Sequence, residues 1–495
     1  MAVLSEHMGI GAVTHNSAKY RARADAAGTV QIEHSVNSDL SGSTTSTGVS
    51  VVSGDDFTGG ETFSGLAANT TYYYSIKVDG VRAHSSPFPT FKTFPTTGVD
   101  ANVKIVCGSC QDDGGETTLW PAVLAENPNL MIHLGDFGYP DSTDLTTQRT
   151  NYKNQYGSAF QSNVVNKMAR AHVWDDHDYG PNNSNGDEAG KANSLQAFKE
   201  YIPHYPLVNA SQGIWQLVQL ANVDIFLLDM RYQREGTKER FPASSTRTAD
   251  SGSSGSSLVL RSADSPSGSD DAYNTWYAAI TVSGTTYYRR VTDYVGSTRT
   301  CTLSASVPGL SATSTYFLRR ASMLDMDAIA SGQLQWLIDG LNNSTARWKV
   351  IATSSSWNNS GNADLYDDNW GGWDEDYVER SYILQECAAV QNLIVISGDY
   401  HGSGLDDGTN ADWPEISASP FDKSDTPLRA DWSQGTNSVG HSYGVLEFTA
   451  DDVTLTVKDA DGTTKSGITP LVVDDVIGGG EEEEGSPRIS WLRAS

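Results

Sequence analysis

NLIVISGDYHG, residues 392–402, decides the fold. Leu393, Ile394, Val395 and Ile396 form an unbroken apolar run, and Ser397, Gly398, Asp399, Tyr400 and His401 follow at once. A run this short, rich in β-branched residues and closed by glycine, reads as a strand buried on both faces. The polar residues fall where such sheets collect their ligands, just beyond a strand's carboxyl end. The same design recurs in VKIVCGSC (103–110), LMIHLGDFGY (130–139), VDIFLLDMR (223–231) and WKVIATSSS (348–356). Helical segments lie between several of them: LWPAVLAEN (119–127), SLQAFKEYI (194–202) and GQLQWLIDGLN (332–342). Strands buried on both faces and interleaved with helices predict an α/β layer architecture.

The flanks read differently. Residues 1–97 are all-β: AKYRARA, VQIEHSV and TYYYSIKV alternate between Gly, Ser, Thr and Asn turns, with no helical period. This stretch resembles a fibronectin type III-like sandwich, including Leu66 and Asn69-Thr70-Thr71-Tyr72 ahead of a late strand. The α/β pattern covers 98–240 and 318–460. Residues 241–317 interrupt it with a Ser/Gly-rich linker followed by short strands (TWYAAITV, TTYYRRVTDY, RTCTLSA, STYFLRR). That insert resembles a small β-module of bacteriophage tail proteins. Residues 461–495 are a C-terminal segment ending in a Gly/Glu-rich acidic tail.

Length and charge bound the function. At 495 residues, a prior of roughly 150 residues per domain predicts two to four domains. The net charge of −28 argues against duplex nucleic acid, whose binders cluster Lys and Arg to displace counterions. No apolar run reaches membrane-spanning length, so no membrane insertion is expected. No signal peptide is visible at the amino end. Four cysteines are too few for a disulfide scaffold in a chain this long. Cys107 and Cys110 form a CxxC, but no second pair or paired histidines follow, which argues against structural zinc.

Four strand-end motifs carry the chemistry: Gly108-Ser109-Cys110-Gln111, Gly135-Asp136-Phe137-Gly138-Tyr139, Trp174-Asp175-Asp176-His177-Asp178-Tyr179-Gly180-Pro181-Asn182, and Ser397-Gly398-Asp399-Tyr400-His401. An aspartate at a turn is by itself usually a cap; four such motifs at strand ends of one domain make a site. A thiolate, a phenolate, a carboxylate and an imidazole favour a strongly Lewis-acidic ion, because Tyr and Cys must both lose protons. Cys110, Asp136, Tyr139 and His401 would therefore suit an Fe(III)-like ion. Asp136, Asp176, Asn182 and Asp399 offer oxygens to a hard cation such as Ca²⁺, with Asp136 bridging the two. Two metals about 4 Å apart can clamp a phosphoryl group and activate a water for in-line attack on phosphorus. His177 is placed to protonate the leaving oxygen; the alternative is a histidine held structurally by Asp178.

Taken in order, GSCQ, GDxxY, WDDHDYGPN and SGDxH resemble the motifs of PhoD-like alkaline phosphatases, a branch of the calcineurin-like metallophosphatases. LLDMRYQR, GQLQWLIDGLNNSTARWKVIATS and NWGGWDEDYVERSYIL resemble further segments of that family. The resemblance implies a four-layer αββα metallophosphatase sandwich, phosphomonoesterase or phosphodiesterase activity on a small phosphoester, and an Fe(III) plus Ca²⁺ centre. It implies Cys110, Asp136, Tyr139, Asp176, Asn182, Asp399 and His401 as metal ligands, and Asp176, His177 and Arg231 as catalytic residues. Arg231 would contact a phosphate oxygen or form a buried ion pair with Asp229. Three features depart from the family pattern: no twin-arginine signal, Asn183 where a related pattern often has Asp, and the insert.

Two functions from different classes follow. One is a phosphoester hydrolase. The other is a phage virion or tail-associated protein carrying the same domain, with the sandwich, insert or tail as surfaces for homo-oligomer or virion assembly. Both place the chain outside the cell or on a virion. A carbohydrate-binding reading, prompted by many Trp and Tyr residues, is weaker because strand aromatics usually pack cores.

Overall fold

A computed structural model describes residues 1–113, 115–156, 158–243, 246–325, 332–358, 369–370, 378–426 and 431–475. The acidic tail and the middle of NWGGWDEDYVERSYIL (371–377) lie outside the described residues. Two large sheets organise the α/β part. The first is ten-stranded and mixed, and its path runs through Leu471–Asp474, Asp452–Asp459, Ser442–Phe448, Val103–Gly108, Leu130–Leu134, Arg170–Val173, Leu4–Gly11, Ser17–Ala24 and Thr58–Gly59. At its centre three strands are parallel, with Ile105 opposite Leu130 and Met131 opposite Arg170. The second sheet, seven-stranded, runs Gln216–Leu220, Val223–Leu227, Trp348–Ala352, Leu393–Ser397, Glu415–Ser417, Ser403–Asp406 and Thr436–Asn437. Val223 faces Trp348 and Lys349 faces Leu393, again in parallel.

The period of two along each strand explains why these runs lack polar interruptions. Ile225, Leu227, Val350, Ala352, Ile394 and Ile396 join a core shared with Ile105 and Ile132 of the first sheet. Their neighbours Phe226, Ile351, Leu393 and Val395 pack on the other side with the helix Gln333–Asn343. That helix buries Leu334, Leu337, Ile338 and Leu341, the spacing of one helical face. The expected helices at Leu119–Ala125 and Lys191–Tyr201 also form. A further helix, Leu145–Gln155, buries Gln148, Asn151, Tyr152 and Gln155, so its inner face is largely polar.

Residues before 98 also form a separate six-stranded sheet whose path runs Thr90–Lys92, Thr71–Val78, Gly28–Ser35 and Thr44–Thr45. Leu4–Gly11 and Ser17–Ala24, however, extend the ten-stranded sheet, through a parallel register of Gly11 on Arg170. The hydrophobic core is accordingly continuous across residue 97: Met8, Ile10, Tyr20, Ile32 and Tyr74 belong to one cluster with Ile105 and Val173.

The insert has its own core, including Leu258, Ile280, Val291, Tyr294, Cys301, Tyr316 and Leu318. Its ends are closed by antiparallel pairing of Glu239 with Arg320. The insert is pinned to the helix Val378–Glu386, where the buried Glu379 accepts from Tyr277 Oη at 2.7 Å and Gln385 Oε1 accepts from Tyr288 N at 2.9 Å.

Candidate metal centre

Six strands aim their carboxyl ends at one place. From the first sheet come Val103–Gly108, Leu130–Leu134 and Arg170–Val173; from the second come Val223–Leu227, Trp348–Ala352 and Leu393–Ser397. The loops that follow are tied by main-chain bonds. Cys110 N donates to Gly135 O at 3.1 Å, Gln111 N to Asp136 O at 2.8 Å, and Gly138 N to Gln111 O at 2.9 Å. Gly398 N donates to Ser354 O at 3.1 Å, joining two loops of the second sheet, and Asp399 N reaches Ser109 Oγ at 3.1 Å across the sheets. The polar face of Leu145–Gln155 props the same loops: Asn151 Nδ2 donates to Phe137 O at 2.9 Å and Gln155 Nε2 to Asp112 O at 2.7 Å.

The ligand loops are bent as chains rarely bend. Cys110 (φ 61°), Asp136 (55°), Asp399 (75°) and His401 (46°) all sit in the left-handed region. Non-glycine residues there cost of order 1–3 kcal/mol each and persist where surrounding structure fixes them, often at functional sites. Gly135 (φ 104°) precedes Asp136, and a Cβ there would lie 2.7 Å from Asp175 N, so only glycine admits the close approach of the two loops.

These bends converge three ligand groups. Cys110, Asp136 and His401 offer atoms all within 4.8 Å of one another, as do Asp136, Asp176 and His177, and also Asp136, Asp175, Asp176 and Asp399. Cys110 Sγ lies 3.6 Å from Asp136 Oδ2, and Tyr139 Oη lies 3.1 Å from His401 Nε2. Cys110 and Asp136 are buried, while Tyr139, Asp399 and His401 are partly exposed at the mouth. Cys107, by contrast, is buried in the sheet core, and all four cysteines are free thiols.

Without a cation this arrangement is electrostatically hostile. Burial, then the carboxylates of Asp176, Asp175, Asp178 and Asp399, push the Asp136 carboxyl well above its usual range. Burial and the neighbouring Asp136 push the Cys110 thiol and the Tyr139 hydroxyl upward too. Asp136 Oδ1 is buried and has no hydrogen-bond partner among the described residues. Natural proteins rarely leave such an oxygen unsatisfied. Multivalent cations beside Asp136 would satisfy it and reverse each of these shifts, and the mix of S, N and O donors suits them.

The remaining expected residues are placed as follows. His177 Nδ1 pairs with Asp141 Oδ1 at 2.5 Å and Nε2 lies 3.9 Å from Asp176 Oδ2, so the ring spans from the rim to the cluster. Its partner is not Asp178. That carboxylate is buried and accepts from Asp175 N at 2.6 Å and Phe137 N at 3.2 Å. Arg231 pairs with Asp175 rather than with Asp229. It is fully buried, with Nε and Nη2 each 2.6 Å from Asp175 Oδ1, and Nη2 3.6 Å from Asp176 Oδ1. Asp229 instead accepts from Trp174 Nε1 at 2.8 Å, from Ile214 N, and from the Arg231 and Tyr232 amides of its own tight turn. The guanidinium is thus fully buried and held on Asp175.

Asn182 lies on the exposed turn 181–183. The bond from that turn to the cluster is made by the Asn183 amide, which donates to Asp176 Oδ2 at 2.7 Å. Asp175 joins Asp136, Asp176 and Asp399 in the oxygen-rich group. Sequence reasoning also passed over Ser109, Asp141 and Ser354. Ser354 Oγ donates to Asp175 Oδ1 at 2.6 Å. The first Asp of the DDH run was a visible signal for Asp175; Ser354 lies in the loop after the strand Trp348–Ala352, with no motif of its own.

Comparison with known proteins agrees with this geometry. A model of the PhoD-like phosphatase family matches residues 104–425, spanning all four motifs. Alkaline phosphatase D of Bacillus subtilis (strain 168) is 23% identical over 375 residues, covering 68% of this chain. The chain spans about half (52%) of that relative's length. Among solved structures, that of PhoD superposes with a TM-score of 0.60 at 16% identity, covering 94% of this chain and 89% of PhoD. The purple acid phosphatase PPD1 from yellow lupin seeds follows the same fold with a TM-score of 0.52 at 10% identity, covering 96% of this chain and 74% of that one. The family match covers well over half the sequence and includes every loop that meets at Asp136: the chain belongs to the PhoD-like phosphatases.

Proposed function

We propose that the chain is a metal-dependent phosphoester hydrolase of the alkaline phosphatase type, acting on a small phosphoester. The observation that carries this reading is the meeting of Cys110, Asp136 and His401 with Asp136, Asp175, Asp176 and Asp399 around one shared carboxylate. The donor chemistry favours Fe(III) at Cys110, Asp136, Tyr139 and His401, and a hard cation such as Ca²⁺ among Asp136, Asp176 and Asp399. When bound, such ions supply Lewis acidity toward a phosphoryl oxygen and lower the pKa of water toward neutrality.

The chain's own groups do the rest. Asp136 turns one carboxylate oxygen toward Cys110 and keeps a second available. Ser109 and the backbone of the neighbouring loops hold Asp399 in place. Arg231 and Ser354 fix Asp175, so that the acidic wall keeps its shape through a turnover. Asp141 holds Nδ1 of His177, which leaves Nε2 facing the cluster to hand a proton to the departing alkoxide.

The alternation of core residues supports a four-layer αββα catalytic unit, with a fibronectin type III-like sandwich leading into its sheet. A setting outside the cell or on a virion, with the insert as an assembly module, is a further part of this reading. The insert's separate core supports its being a distinct module. The test is turnover of 4-nitrophenyl phosphate and bis(4-nitrophenyl) phosphate by the protein reconstituted with iron and calcium, beside Asp136→Ala and His177→Ala. Loss of turnover in both variants is expected; turnover indifferent to both would sink the reading.

A further inference from the structure

Cis-Pro420 starts a segment that is bolted to the metal loops. Phe421 N donates to Ser109 O at 2.9 Å, Asp422 N to Cys110 O at 3.4 Å, and Thr426 N to His401 O at 2.9 Å. The Phe421 ring packs 5.0 Å from Trp120 and 5.3 Å from His133. A Cβ at residue 108 would come within 2.5 Å of that ring, so Gly108 at the end of its strand is what lets the segment seat. Lys423 therefore projects from a segment held through both the Cys110 and His401 loops. Its Nζ lies 3.8 Å from the centroid of the Tyr139 ring and 3.2 Å from Asp112 Oδ1, with about a quarter (26%) of the side chain exposed.

The contacts of this ammonium are the Tyr139 ring and Asp112. Asp112 is 54% exposed, and an exposed ion pair contributes little. The surroundings are otherwise acidic: Asp136, Asp175, Asp176 and Asp399 line the cluster, and Asp112, Asp141 and Asp422 surround its mouth. Of the cations that the described contacts place beside the cluster, Arg231 is fully buried on Asp175. Lys423 stands at the mouth, over the ring of a ligand residue.

We propose that Lys423 binds the substrate phosphate and makes the site selective for phosphomonoesters over diesters. The inference rests on the hydrolase reading above and names the substrate class of that same site. A phosphomonoester has three non-bridging oxygens and two negative charges near or above neutral pH; a diester has two such oxygens and one charge. With two oxygens turned to the metal side, the third is left for a group at the rim, and Lys423 exchanges Asp112 for it. In a diester that position carries the second organic group, which offers an ammonium nothing. The ammonium also offsets the acidic mouth for an incoming dianion.

The test uses the full chain loaded with iron and calcium, as wild type, Lys423→Met and Lys423→Arg. KM and kcat are measured on 4-nitrophenyl phosphate and bis(4-nitrophenyl) phosphate, and affinity for inorganic phosphate by calorimetry. Lys423→Met is expected to raise the monoester KM and the phosphate Kd about tenfold, equivalent to about 1.4 kcal/mol. The diester KM should change less than about threefold, and Lys423→Arg should recover most of the loss. Metal content and melting temperature should match wild type in both variants, which a merely structural lysine would not allow. Equal effects on both esters, or unchanged phosphate affinity, would overturn the proposal. Phosphate binding needs no turnover, so the two readings fail separately. If the wild type cuts neither ester but Lys423→Met still weakens phosphate binding, the hydrolase reading falls and the anion-binding lysine stands.

Discussion

Replacing Arg231 with methionine tests whether this arginine holds the site or touches the substrate. Its guanidinium is fully buried, with two nitrogens 2.6 Å from Asp175 Oδ1 and one 3.6 Å from Asp176 Oδ1. Methionine fills similar space but leaves Asp175 without its guanidinium in a cluster already crowded with carboxylates. Removing one partner of a buried pair typically costs about 3–5 kcal/mol, because the other charge stays behind. For a chain of 495 residues that corresponds to a fall in melting temperature on the order of 3–5 °C. The assay is thermal unfolding of the metal-loaded protein, followed by phosphate inhibition of whatever enzyme remains folded. The expected outcome is a large loss of stability, with phosphate inhibition of the folded fraction little changed. A variant that melts like wild type but binds phosphate or substrate far more weakly would refute the argument and return Arg231 to the substrate.

Two other groups make distinct demands. Asp141→Asn keeps the size of the side chain but weakens its hold on His177 Nδ1; kcat should fall about tenfold or more with KM little altered, and an unchanged kcat would show that Asp141 does not position the ring. Burial lifts the Glu379 carboxyl, between insert and helix, from 4.5 to about 6. The folded chain therefore keeps a proton there that the unfolded chain has lost. The group's contribution is fullest below pH 4.5 and is lost as pH rises through 6, a change of about 2 kcal/mol. Melting temperature followed from pH 4.5 to 7 should lose that component in Glu379→Gln; an identical slope in wild type and variant would count against it.

The strand-end motifs were legible because each is local: an apolar run fixes the strand, and its carboxyl end fixes where Cys110, Asp136, Asp176 and Asp399 must stand. Which carboxylate Arg231 would meet was not legible, since Asp175 reaches it across two sheets while Asp229 is only two residues away. Nor does the motif show that the turn presents the Asn183 amide to Asp176 while Asn182 is exposed. The helix Leu145–Gln155 escaped notice because its inner face is made largely of glutamine and asparagine that bond loop carbonyls, leaving no apolar period to read. The N-terminal strands look self-sufficient in sequence. Only the register of Gly11 on Arg170 reveals that they extend the ten-stranded sheet.

The most direct test of the account is the metal content of purified protein after reconstitution with iron and calcium, read by elemental analysis in wild type and Asp136→Ala. Asp136 is common to every ligand group that forms the centre. About two ions per chain are expected in wild type, iron among them, with a collapse of that content when the shared carboxylate is removed. A wild type that takes up no ions, or an Asp136→Ala variant that holds its full complement, would contradict it.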